Sequence, residues 1–291
     1  MFALRPLELR ARLVAEGMLV GTHRSRRFGS SSEFAEHKIY APGDDLRRID
    51  WRAVARFDRT FVRRYEEETQ IEIALIVDTS ASMGYAGGAR GTLSATKLEA
   101  AVTYAAALAW LAHTRSDAVS LELFAGTEKL SLNARGQREH LAFLLDQLAR
   151  ARADGGTALL DAVQRCADRQ RRRTLVIVIT DLIDVGVEPL RALGVLRKRG
   201  HDVIVLHTLH RDELEFPYEG VVRFLDFEGD REVQVDAPLV REAYLEEMRA
   251  FLAEVRDEAT RVDVRYHLGV TDEPPALVLA RALALGHVDG R

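Results

Sequence analysis

The sequence predicts a mostly parallel α/β sheet covered by helices on both faces. Three observations carry that prediction. Runs of Val, Ile and Leu of strand length recur from Ile71 onward without polar alternation, as in "IEIALIVD", "TLVIVITDL" and "DVIVLHTL". Stretches of helical periodicity separate these runs, the arrangement that buries both faces of a parallel sheet. The 291 residues are 47% hydrophobic, enough for one large core or two modest ones.

In chain order, "IEIALIVD" (71–78) reads as a strand and "TKLEAAVTYAAALAWLAHTR" (96–115) as a helix. "AVSLELFA" (118–125) and "EKLSLN" (128–133) read as a hairpin around Gly126. Residues 137–151 and 157–170 are helical, 174–182 a strand, 187–200 a helix and 202–209 a strand. A polar-tipped hairpin over 221–229 and 231–236, a long amphipathic helix over 238–261 and a last strand over 262–269 complete the pattern. Residues 1–70 differ, being rich in Arg and Glu with short, irregular apolar spacing, and form an N-terminal extension to the domain at 71–291. Within the extension, 43–57 suits a helix with Asp44 or Asp45 near its N-cap, Trp51 belongs to its apolar side, and 60–68 suits an extended segment. The basic stretch at 21–34 has no interleaved aromatic platform and reads as a solvated loop.

A formal net charge of −4 and a pI near 6.2 give no general attraction to nucleic acid or anionic membrane. A single cysteine, Cys166, allows neither an internal disulfide nor a Cys-based zinc site and suits a reducing, cytoplasmic setting. Arginines interrupt the apolar pattern of the first residues, so no signal peptide is expected. No 18 apolar residues run together, so no membrane span is expected, and "AAVTYAAALAWLAH" (100–113) reads as a buried helix.

The stretch "LIVDTSASMG" (75–84) ends a buried strand in a carboxylate and two hydroxyls, Asp78, Ser80 and Ser82. In an open parallel sheet, ligands sit beyond the carboxyl ends of the strands. Extended geometry would turn all three side chains the same way, at a solvent-facing edge. Hard oxygen donors with one carboxylate suit Mg²⁺ or Mn²⁺, and such a shell needs further donors from neighbouring strand ends. Thr157, which follows two glycines in "GGTAL", and Asp181, at the end of "VIVITDL", supply them. Each hydroxyl taken singly could cap a helix, and Asp181 a turn. Taken together at one end of one sheet, the five favour a metal site.

This order resembles the metal-ion-dependent adhesion site of von Willebrand factor A domains, in which Asp-x-Ser-x-Ser, a Thr and an Asp from three loops hold a divalent cation. The matching residues are Asp78, Ser80, Ser82, Thr157 and Asp181, and the resemblance covers about 71–270. It implies a von Willebrand factor A-like fold, ligation by the three hydroxyls, Asp residues acting largely through water, and a partner's carboxylate completing the shell. Upstream, "SEFAEHKIYAPGDDLRRIDWRAVARFDRTFVRRYEEE" (32–68) resembles the signature of the bacterial family called domain of unknown function 58. The residues concerned are Tyr40, Pro42, Gly43, Asp44, Asp45, Arg48, Asp50, Trp51, Ala55 and Arg56, and the departure is "HKIY", where an Arg is expected shortly before the Tyr. Members often accompany MoxR-type AAA+ ATPases, so the resemblance implies such a partner.

Enzyme signatures fit poorly. A second Asp two residues after Asp78, as haloacid-dehalogenase phosphatases need, is replaced by Ser80, and no Gly-x-Ser-x-Gly elbow surrounds it. The glycine-rich 84–97 lacks Gly-Lys-Ser/Thr, and the nine histidines form no His-Glu-x-x-His helix. The expectation is a non-enzymatic, metal-dependent protein-binding adaptor or chaperone-like partner of an AAA+ ATPase. A Mg²⁺-dependent hydrolase using the same residues, and a cell-surface adhesin, are the alternatives.

Overall fold

The computed structural model describes residues 4–22, 36–40, 60–64, 71–88, 95–126, 128–170, 172–183, 185–225 and 232–284. They fall into two compact units, one made of 1–22 with 71–291 and the other of 23–70.

In the smaller unit, β1 (Glu36–Ile39) pairs antiparallel with β2 (Phe61–Arg64), and Tyr40 N–H extends the ladder to Thr60 O at 2.8 Å. The helix expected over 43–57, Trp51 and the remaining signature residues after Tyr40 lie outside the described residues.

The larger unit is built on a six-stranded sheet. Its strands are β3 (Glu72–Asp78), β4 (Ala118–Ala125), β5 (Glu128–Arg135), β6 (Thr174–Thr180), β7 (Asp202–Leu209) and β10 (Arg265–Val270), in the order β10-β7-β6-β3-β4-β5. All neighbours are parallel except β4 and β5, the hairpin that closes one edge. A two-stranded ribbon, β8 (Val221–Leu225) and β9 (Glu232–Asp236), stands apart from the sheet. This is the mostly parallel α/β architecture that the sequence predicts.

Strand alternation divides the core in two. Ile73, Leu75 and Val77 of β3 join Ile177, Ile179, Ile204 and Leu206 on one face, while Ala74 and Ile76 join Val176, Val178, Val203 and Val205 on the other. The first face is covered by α2 (Lys97–Thr114), α3 (Arg138–Arg150) and α8 (Pro275–Ala284). The second is covered by α4 (Leu159–Arg169), α5 (Glu188–Lys198) and α7 (Ala237–Arg261). Helix α5 meets the chain closely at Gly194, where a Cβ would come within 2.6 Å of Val262 Cβ. The strand expected from 262 begins at Arg265, because Val262 caps α7 and Asp263 turns with a φ of 57°.

Three helices lie outside the sequence pattern: α8, a short one at Arg211–Glu215, and α1 (Leu4–Thr22). Helix α1 buries Leu7, Ala11, Ala15 and Met18 at helical spacing and packs against α2, α3 and α8. The extension drawn over 1–70 is thus divided, and its first helix groups with the sheet. The arginines and glutamates between those four small or apolar residues mask the period.

That assignment is testable. Ala11 is fully buried and Leu9 is 58% exposed on the same helix. Ala11→Glu places a charge against α2 and lowers unfolding free energy by at least about 2 kcal/mol, whereas Leu9→Glu stays within about 0.5 kcal/mol of wild type. Urea unfolding of the two variants makes the comparison, and equal small effects would detach α1 from the core.

Candidate functional site

Parallel register brings the carboxyl ends of β3, β4, β6 and β7 to one end of the sheet, with Asp78 opposite Phe124, Val77 opposite Ile179 and Thr180 opposite His207. Beyond β3 the chain does not stay extended. A 3₁₀ turn over Ala81–Gly84 begins after Ser80, so the alternation that would aim Asp78, Ser80 and Ser82 alike ends there. Ser80 Oγ and Ser82 Oγ still meet, at 3.2 Å. The Asp78 carboxylate turns inward instead. Its Oδ1 accepts the Ser80 N–H at 2.9 Å and its Oδ2 accepts the Thr180 hydroxyl at 2.7 Å. The expected solvent-facing edge is in fact buried: Asp78, Ser80 and Asp181 are each 1% exposed or less.

Backbone bonds stitch the Thr157 loop to the Asp78–Ser82 loop. Asp154 N–H donates to Thr79 O at 3.0 Å, Ala81 N–H donates to Gly155 O at 2.8 Å, and Gly126 N–H donates to Gly156 O. Gly155 takes a φ of +68°, which a residue with a side chain adopts only under strain. The Thr157 hydroxyl is buried and has no hydrogen-bond partner among the described residues. Beside these loops an open groove of about 750 Å³ runs past Thr79, Gly126, Asp154 and Gly155 to Arg150 and Arg152.

Asp181 is gripped from three sides. Its Oδ1 accepts the Ile183 N–H at 3.1 Å, and its Oδ2 accepts the Lys97 ammonium at 2.7 Å. Its carbonyl accepts from His207 Nε2 at 2.7 Å. A carbonyl can only accept, so Nε2 carries the proton, and the neutral ring receives the Tyr266 hydroxyl at Nδ1, 2.7 Å away. Between Asp181 and Ile183, the buried Leu182 sits at a φ of 54°. Its N–H donates to Thr180 Oγ1 at 3.2 Å, which helps hold a left-handed conformation costing on the order of 1 kcal/mol.

Lys97 also donates to Glu213 Oε1 at 2.7 Å and is itself only 1% exposed. Glu213 belongs to the short helix α6 (Arg211–Glu215), where its other oxygen accepts the His210 N–H at 2.6 Å. The Tyr85 ring lies 5.9 Å from the ammonium, and its hydroxyl meets that of Tyr218.

Burial dominates the electrostatics. The Asp78 carboxyl is pushed up to about 6, chiefly by burial and then by the charge of Asp181, against the hydrogen bonds from Thr180 and Ser80. Burial works against the charge on Lys97, but Asp181 and Glu213 outweigh it and its pKa stays above the ordinary lysine value. Glu213 is raised, chiefly by burial, although Lys97 pulls the other way.

The five expected site residues therefore converge on two neighbouring loops and one strand end, but with unequal freedom. Ser80, Ser82 and Thr157 present hydroxyls. Asp78 and Asp181 already spend their oxygens on protein donors. Among the described residues no three His, Cys, Asp or Glu side chains group as metal ligands, so a cation here would depend on hydroxyl oxygens. An orphaned buried hydroxyl, on a loop bonded to the one that carries two serine hydroxyls and Asp78, belongs to a donor set that fits a hard divalent ion. Sequence reading missed Thr180, Lys97, His207 and Glu213. The usable signals were Lys97 at a helix N-terminus, where a cation is disfavoured, and Glu213 just beyond the carboxyl end of β7.

Fold and site together define an α/β domain with a compact, charge-compensated cluster of oxygens at its strand ends. The chain belongs to the family described as protein of unknown function DUF58, which matches residues 36–253. Uncharacterized proteins of Mycobacterium bovis and Mycobacterium tuberculosis are each 31% identical over 264 residues, covering 87% of this chain and 79% of theirs. Among solved structures, the hypothetical protein BatB from Bacteroides thetaiotaomicron is similar over 74% of this chain and 98% of its own, at 16% identity and a TM-score of 0.47. The VWA domain of SpRpn10 is similar over 72% and 94%, at 11% identity and a TM-score of 0.41. No helix among the described residues is long and apolar enough to cross a membrane.

The buried imidazole gives a pH signature. His207 is pushed down to about 4, chiefly by burial, against about 6.5 in an unfolded chain. Between those values the unfolded state binds the extra proton, so the stability that neutral His207 provides is complete above about pH 6.5 and is lost as pH falls toward 4. In urea unfolding, wild type should lose about 2–4 kcal/mol more than His207→Gln over that interval. A wild-type-to-variant gap that does not change with pH would show that the ring is freely protonated in the folded protein.

Proposed function

We propose that this chain is a divalent-cation-dependent protein-binding domain. Ser80, Ser82 and Thr157 would hold Mg²⁺ or Mn²⁺ directly, and Asp78 and Asp181 would act largely through water. The observation that carries this reading is the buried Thr157 hydroxyl, unpartnered among the described residues, in a loop stitched to the backbone of Thr79 and Ala81 on either side of Ser80. Buried polar atoms nearly always have partners, and one without a protein partner beside other oxygens suits an ion or its water. When bound, such an ion supplies an electrophilic point that an anionic side chain of another protein can complete. The groove past Arg150 and Arg152 supports an acidic partner segment approaching from that side.

The same residues support binding over catalysis. A hydrolase needs a general base placed to take a proton at the reacting centre. Both nitrogens of His207 are engaged within the protein, and the Asp78 and Asp181 carboxylates are each oriented by two protein donors, which leaves lone pairs for an ion's water. From the family resemblance, we take the partner to be a MoxR-type AAA+ ATPase or its client, met in the cytoplasm.

Thr157→Val tests the reading cleanly, because the hydroxyl it removes makes no hydrogen bond among the described residues. Melting temperature should hold, while calorimetric affinity for Mg²⁺ and Mn²⁺ falls at least about tenfold, equivalent to about 1.4 kcal/mol. Capture of the AAA+ partner should fall alike with this variant and with EDTA on the wild-type chain. Wild-type metal binding that Thr157→Val leaves unchanged would place the ion elsewhere, and capture indifferent to EDTA would remove the ion from the interaction.

A further inference from the structure

A lysine is an unexpected resident of this site. Lys97 is the first residue of α2, where the aligned N–H groups favour anions and disfavour cations. The helix start does not need it: Thr96 accepts the Glu99 N–H at 3.0 Å and Glu99 returns the bond to Thr96 N–H at 3.0 Å, a complete capping box. Nor does Lys97 lie along the surface with its ammonium in water, as lysines commonly do. The side chain is buried, and its ammonium bridges Asp181 on one side and Glu213 on the other at 2.7 Å each. A residue placed against its local preference, and against the cost of burying a charge, answers to something other than the helix.

Charge counting suggests what that is. Asp78, Asp181 and Glu213 bring three carboxyl groups to the strand ends, and Lys97 brings one ammonium, 2.7 Å from two of them. With all three carboxyls ionised, two negative charges remain, the complement of one divalent ion. Without Lys97 there would be three, and the folded protein would have to hold them together whenever no ion was bound.

We propose that Lys97 is a resident counter-cation of the site. It fixes Asp181 and Glu213 in the ion-free protein and, by its charge, limits how tightly a divalent ion binds. The inference rests on the metal-binding reading above. Lys97 acts here as a positioning residue and makes no contact with the ion. Its ammonium holds Asp181 Oδ2, and the Ile183 N–H holds Oδ1, so the carboxylate keeps one orientation whether or not an ion is present. Glu213 anchors the ammonium from α6 and couples that helix to the site.

Three variants test this: Lys97→Met, Glu213→Gln and the double variant. Thermal unfolding is followed in EDTA and in MgCl₂, and Mg²⁺ affinity is measured by calorimetry. Lys97→Met should melt at least about 5 °C below wild type in EDTA and recover most of that difference in MgCl₂. Its Mg²⁺ affinity should rise at least about tenfold, because a nearby positive charge is gone. A lysine that served only to shape the pocket would give the opposite result, a weaker site. Glu213→Gln should bind Mg²⁺ more weakly than wild type, and the double variant, with the wild-type charge count, should return to within about threefold of it. If Lys97→Met does not fold in EDTA, comparison of Glu213→Gln with the double variant asks the same question with one carboxylate fewer. Mg²⁺ affinity that stays the same or falls when Lys97 is removed, in either background, overturns the proposal. Loss of binding in Thr157→Val alongside unchanged affinity in Lys97→Met would overturn this inference alone. Absence of Mg²⁺ binding in wild type and in every variant would overturn both.

Discussion

Keeping carboxylates charged where water is scarce is the constraint from which the rest of the strand-end structure follows. Withdrawing an ion from water costs several kcal/mol even after the protein relaxes around it. Asp78 meets that cost with hydrogen bonds, from the Ser80 backbone and the Thr180 hydroxyl. They compensate only in part, since its carboxyl still sits near 6. Asp181 meets it with a full ammonium. Neighbouring features are then determined in turn. Thr180 must point at Asp78, so its oxygen is placed to receive the Leu182 N–H, and the chain turns through a left-handed residue. His207 stays neutral because burial disfavours the charged ring more than its hydrogen bond to the Asp181 carbonyl favours it.

The sheet delivers these groups to one place because it is parallel and covered on both faces. Strand residues alternate between two apolar cores, and buried polar groups gather near strand ends, Glu122 of β4 with its partners Arg165 and Arg169 being a mid-strand exception. The register then decides which ends are adjacent. Helix α2 completes the arrangement through its composition. Ala101, Ala105, Ala106, Ala107 and Ala109 are fully buried along it. Small side chains let a helix lie close to its neighbours, and interaxial distance follows the side chains at the contact. The first residue of α2, Lys97, reaches Asp181 at 2.7 Å.

The strands were legible because their apolar runs are long and uninterrupted; β7 spans the predicted 202–209. Helix α1 was not, since Arg and Glu between Leu7, Ala11, Ala15 and Met18 give a weak contrast between its faces. The loops that carry the candidate site were legible too, from carboxylates and hydroxyls placed after strands. Side-chain direction was not. It depended on whether the chain stayed extended past Asp78, and a turn that begins after Ser80 is decided by bonds to Gly155 and Phe124, remote in sequence. Lys97 stood unremarked at the start of a helix whose 100–113 read as buried. Nothing within "TKLEAA" reveals two carboxylates, one 84 and the other 116 residues downstream. A charge pair of this kind is a tertiary fact, and only a violated local preference marks it in the sequence.

A site whose own ammonium already offsets part of its charge differs in kind from one that folds around its metal. Small metal-dependent modules unfold when the ion is removed, because binding free energy is folding free energy. Here the sheet is stabilised by two apolar cores that no ion touches, and on the proposed reading Lys97 keeps the strand ends assembled between binding events. On that reading the fold would not depend on the ion, although ion binding would still add to stability. The ion can then be gained and lost together with a partner's carboxylate without disturbing the fold. Its affinity can also stay modest, so that the partner's own negative charge contributes a large share of the ion's retention. An ion held tightly by the domain alone would leave less of its binding free energy to depend on the partner. On the proposed reading, the buried lysine would make the site weaker in isolation and more dependent on its second protein, as a reversible interaction domain requires.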